Sequence, residues 1–179
     1  IKYARIYSST ETVLAGIRLI KDVVDNARSV DQLFSNLIQL IPLLFKARPT
    51  SAMLLNSIKS LVLEIVKAVE EGGIEYVKER TREKAASIER EIAKVRDLTA
   101  RIASHRINDG DVILTNSYST IVLRSFKYAI QEGKNFQVYV TESRPGSEGF
   151  SLAIELDKIG LETTVFVDSA VRYMIKEVD

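Results

Sequence analysis

Asp111-Val112-Ile113-Leu114-Thr115, Phe136-Gln137-Val138-Tyr139-Val140-Thr141 and Thr163-Thr164-Val165-Phe166-Val167-Asp168 are three short runs rich in β-branched and aromatic residues, the composition of strands. Each precedes a helical pattern: 121–131 ends near Gly133, 150–159 at Gly160, and 170–178 follows the third run. Parallel strands need crossovers, and the crossover helices cover the sheet, so this alternation predicts a Rossmann-like α/β layer built of parallel βαβ units. Ligands of such sheets bind beyond the carboxyl ends of the strands. The segments of interest are therefore 115–120, 141–149 and 168–170, all polar or small. Doubly wound sheets usually hold more than three strands, so the protein is expected to be truncated here at its C-terminus.

Upstream of the Asn108-Asp109-Gly110 turn the period changes to that of a helix. Leu14, Ile17, Ile20 and Val24 mark a first helix, with Ser9 as its N-cap and Glu11 inside its first turn. Leu33, Leu37, Ile41 and Leu44 mark a second, interrupted at Pro42 and Pro49; a third runs from Met53 to the stop at Gly72-Gly73. The longest spans 74–104, with Ile74, Val77, Thr81, Ile88, Ile92, Val95 and Ile102 on one stripe. The expected organisation is an all-helical domain, 1–107, followed by an incomplete Rossmann-like α/β domain, 108–179.

Composition narrows the function classes. With 25 Lys and Arg against 24 Asp and Glu, the net charge of +1 supplies no field to draw in nucleic acid. Lys78, Arg80, Arg82 and Lys84 are interleaved with acids, so no direct nucleic-acid binding is expected there either. There is no cysteine, which excludes disulfides and thiolate chemistry and is compatible with the cytoplasm. No apolar stretch is long enough to span a bilayer. No metal site and no cofactor are expected.

Read together, Thr115-Asn116-Ser117-Tyr118-Ser119, Thr141-Glu142-Ser143-Arg144-Pro145 and Asp168-Ser169-Ala170 resemble the translation initiation factor 2B alpha/beta/delta family. That family joins regulatory subunits of the exchange factor for initiation factor 2 with methylthioribose-1-phosphate and ribose-1,5-bisphosphate isomerases. Ala47-Arg48-Pro49-Thr50 is similar to an arginine-proline turn of the archaeal members. In the isomerases the segment after the first strand carries a catalytic cysteine, and Ser117 stands at the matching position. A hydroxyl is far less acidic than a thiol. The family's second catalytic group, an aspartate, would lie beyond Asp179. Its arginine-glycine phosphate loop corresponds to Tyr7-Ser8-Ser9-Thr10, without the arginine.

The resemblance implies a regulatory-type subunit that binds initiation factor 2 or related subunits, works as a homo- or hetero-oligomer, and holds a phosphorylated small molecule. A sugar-phosphate isomerase is the alternative. The phosphate-site candidates are Ser8, Ser9, Thr10, Arg48, Ser117, Ser119 and Arg144, with no catalytic residue assigned. Arg48 offers a fork suited to phosphate or is an ordinary surface arginine. Arg144 either faces a ligand or locks its loop through Glu142, and Asp168 either caps the helix after it or points into the crevice. Ser117 and Ser119 can cap a helix, bind an anion, or both. His105, the single histidine, reads as a residue of a helix C-terminus.

Overall fold

The helix starts of the first half are set by hydroxyl groups. Ser29 is extended and its Oγ accepts from the Gln32 amide, while the Ser51 Oγ accepts from Leu54, each satisfying a donor the helix itself leaves unpaired. The computed structural model describes residues 9–179. Its helical part comprises α1 (Ser9–Asn26), α2 (Val30–Ala47), α3 (Ala52–Glu71) and α4 (Ile74–Ser104). There follow β1 (Val112–Thr115), α5 (Thr120–Gln131), β2 (Gln137–Thr141), α6 (Glu148–Asp157) and β3 (Thr163–Phe166), then a short α7 (Val171–Met174) between two 3₁₀ turns. This is an all-helical region followed by a Rossmann-like layer. Among the described residues no helix is long and apolar enough to cross a membrane.

Two departures from the sequence reading have physical causes. Pro42 does not break α2, which runs through it. Proline removes one bond to the carbonyl four residues earlier, that of Ile38, and Ile38 is 70% exposed, so water can take the place of the lost donor. The apolar stripe of α4 divides as well. Val77 and Thr81 are buried and Ile88 and Ile92 pack on the first core, but Val95 and Ile102 are exposed.

That division matches the way the chain separates into two compact units, the first ending at Ala93 and the second running from Lys94 to Asp179. The first core is formed by Val13, Ile17 and Ile20 of α1, Leu33 and Leu37 of α2, Leu54, Leu61 and Ile65 of α3, and Val77 of α4. In the second unit Ala100 and Ser104 are the buried positions of α4. There Asp97 accepts hydrogen bonds from the Tyr128 hydroxyl, Arg101 and Arg124, and the Arg101 guanidinium lies 4.4 Å from the Tyr128 ring centre, binding the last turns of α4 to α5.

The sheet is parallel in the order β1-β2-β3, with Ile113 opposite Val138 and Val140 opposite Val165. Val138 and Val140 turn one face toward Leu123 and Phe126 of α5 and Leu152 and Leu156 of α6. On the alternate positions Tyr139 and Phe166 meet edge to face at 6.4 Å. The helical pattern over 170–178 is met by contiguous 3₁₀, α and 3₁₀ turns from Asp168 to Glu177, after which Val178 is extended and Asp179 lies at the free edge of β1. There the Val112 amide donates to Asp179 Oδ2 and the Asp179 amide donates to the Val112 carbonyl.

Candidate functional site

Backbone paired to β1 thus runs outward on both sides, through β2 and β3 in one direction and at Asp179 in the other. Open parallel sheets bind their ligands outside the carboxyl ends of the strands, beside the strand at which the order reverses. The loop at that end of β1 is Asn116-Ser117-Tyr118-Ser119. Ser117 takes a left-handed conformation, φ 58°, and Ser119 caps α5 by accepting from Val122 at 3.4 Å.

The second loop is bonded directly to the first. Ser117 N–H donates to Ser143 Oγ at 2.6 Å, and Ser143 Oγ also lies 2.9 Å from Thr141 Oγ1. Ser143 is itself left-handed, φ 62°, as is Ser147, φ 58°. A Cβ at Gly149 would fall 1.8 Å from the Thr141 carbonyl oxygen, so only glycine lets α6 begin so close to the end of β2.

Asp168 supplies the third contact. Its carboxylate accepts from the Ser143 amide at 2.9 Å and the Arg144 amide at 2.8 Å. It caps the neighbouring loop, not the turn that follows it, whose N-cap position is Val167. The backbone bonds from Arg144 and Ser143 hold its carboxyl below the usual range, because they favour the ionised form. Arg144 stands on the rim, largely exposed, with Nε 3.8 Å from Glu142 and Nη1 3.4 Å from Ser147 Oγ.

Ser117, Ser119 and the Arg144 loop therefore occupy one end of the sheet. Thr10 and Arg48 belong to the first unit, Thr10 buried in the first turn of α1 and Arg48 at the C-cap of α2. Ser9 opens α1, and Ser8 lies outside the described residues. His105 has a carboxylate neighbour that spacing did not reveal, Glu132 at 3.3 Å. Glu132 follows the C-terminus of α5, a helix about 18 Å long, so the histidine is remote from Ser117. One further cation was not legible in the sequence: Arg96 of α4 donates from Nη2 to Thr120 Oγ1, at the first residue of α5, at 2.8 Å. It is one charge among many on a long helix, and only the fold gives it a place. Among the described residues no group of histidine and carboxylate side chains could hold a metal ion.

The profile of the initiation factor 2 subunit family matches residues 5–179. The chain belongs to that family. Within the family it is 38% identical over 137 residues to the ribose 1,5-bisphosphate isomerase of Methanocaldococcus jannaschii, a match covering 76% of this chain and 42% of that protein. The crystal structure of the Pyrococcus horikoshii OT3 translation initiation factor eIF-2B superposes with a TM-score of 0.85 at 25% identity, over 99% of this chain and 60% of that one. The tetrameric eIF2B-beta2-delta2 complex of C. thermophilum contains a chain with a TM-score of 0.77 at 25% identity, covering 92% of this chain and 55% of that one. The chain thus spans less than half of the family isomerase it matches.

Proposed function

We propose that the protein carrying this chain is a sugar-phosphate isomerase of the ribose 1,5-bisphosphate class, the reading that the sequence motifs alone placed second. Identity to the Methanocaldococcus jannaschii isomerase over three quarters of the chain supports it most. The hydroxyls of the Ser117–Ser119 loop and the Arg144 guanidinium supply an anion-binding rim suited to a phosphate. Asp168, held ionised by two amides, fixes the loop and has no proton to give. In an aldose–ketose interconversion a proton must be moved between adjacent carbons by groups of suitable acidity. Ser117 is a poor one at the position where the resemblance implies a thiol.

That serine favours a second reading, a regulatory initiation factor 2B-type subunit that binds a phosphorylated ligand without turning it over and assembles with like or related subunits. The likeness to the Pyrococcus horikoshii eIF-2B structure is in keeping with it.

An isomerisation assay of the full-length protein on ribose 1,5-bisphosphate and methylthioribose 1-phosphate, with calorimetric binding alongside, tests both. The isomerase reading expects measurable turnover of ribose 1,5-bisphosphate, raised by Ser117→Cys and weakened in KM by Arg144→Ala. Binding without turnover in wild type and in Ser117→Cys would replace it with the regulatory reading.

A further inference from the structure

We infer that Arg96 is a phosphate-contacting residue of the β1–α5 crevice. This rests on reading that crevice as a sugar-phosphate site, and adds the cation that the loop itself lacks. Arg96 is half-buried, its Nη2 bonded to Thr120 Oγ1 at 2.8 Å. Its Nε is buried without a hydrogen-bond acceptor. The carboxylate next to it in sequence, Asp97, is already shared by Tyr128, Arg101 and Arg124, and Arg96 forms no ion pair among the described residues.

Elementary electrostatics makes this arrangement incomplete. A guanidinium taken partly out of water needs an anion or a full set of acceptors. Arg96 is also placed at the first turn of α5, where the aligned peptide dipoles carry positive charge and a cation is the wrong sign. Both mismatches are removed by one dianionic group seated at the start of α5. Its oxygens can accept from the guanidinium fork and from the first-turn amides. A tether whose only role was to join α4 to α5 would be served by a neutral donor to Thr120.

The test is the stabilisation of full-length protein by inorganic phosphate, ribose 5-phosphate and ribose 1,5-bisphosphate, read as the rise in melting temperature and as calorimetric affinity. A ligand that binds the native state alone raises the melting temperature by an amount that grows with the logarithm of its concentration relative to Kd. Arg96→Ala is expected to weaken ribose 1,5-bisphosphate binding by roughly tenfold or more and to abolish most of the ligand-induced rise. Arg96→Lys, which keeps the charge and serves also if the alanine variant folds poorly, should recover part of both. A purely structural arginine would shift the ligand-free melting temperature and leave the increment intact, which would overturn the inference while sparing the isomerase reading. No increment with any of the three ligands in wild type would overturn both. An Arg96-dependent increment without turnover would keep the inference and remove the isomerase.

Discussion

Two backbone amides, those of Ser143 and Arg144, converge on the Asp168 carboxylate, and one hydroxyl, that of Ser143, accepts the Ser117 amide. Three loops are thereby joined through side chains that a reading of spacing alone would give to helix caps or to solvent. Since the folded-state pKa of Asp168 lies below its ordinary value, the sign of its pH dependence follows. Its contribution is fully present above the unfolded pKa, about 3.9, and is lost as pH falls through the lower folded value. Asp168→Asn keeps the size of the side chain and one acceptor but loses the charge. Its melting temperature should fall below wild type at neutral pH, and the gap should close in strongly acidic buffer. A gap that persists unchanged into acid would mean that the carboxylate's charge is not what holds the loop.

At the scale of elements, hydrophobic period and cap chemistry made most of the fold legible. Gly72 ends α3 where the glycine pair reads as a stop, and the three β-branched runs are β1, β2 and β3, while Ser29 and Ser51 cap α2 and α3 at positions the spacing did not single out. What was not legible depends on the environment of a backbone group or on long-range placement. Pro42 reads as a break only if the Ile38 carbonyl it orphans is buried, and no local signal says that Ile38 faces solvent. The candidate site divides in the same way: Ser117, Ser119 and Arg144 stand out as polar residues at strand ends, whereas Arg96 and Asp168 acquire their roles from contacts 24 or more residues away in sequence. Because α2 already runs through Pro42, replacing it with alanine restores an amide donor without changing the path of the helix. Proline costs a helix interior roughly 3 kcal/mol against alanine, part of which is offset by the greater freedom of the unfolded alanine chain. Pro42→Ala should therefore stabilise the helical unit by about 1–2 kcal/mol in urea melts, and a destabilised variant would show that the proline sets a bend the core needs.

For the molecule as a whole, the two apolar cores share no residue: one is drawn from positions 13–92 and the other from 107–161. Elements of the α/β layer bury Val138, Val140, Leu152 and Leu156 among themselves, and α1–α4 bury Leu54, Ile58, Leu61 and Ile65. Burial is the main favourable term in folding, so each unit carries most of its own stability. A cavity in one core should then be felt chiefly in that unit. Leu61, fully buried in the middle of α3, is the place to create one. Leu61→Ala removes methyl groups that its surroundings can only partly replace, a loss of about 2–5 kcal/mol. Native-state hydrogen exchange on the intact protein reads both units at once. Amides of α1–α3 should lose protection by that amount, while those of β1, β2 and β3 keep theirs. An equal loss across both sets would mean that the units unfold as one body, with α4, which contributes to both, transmitting the loss from the first to the second.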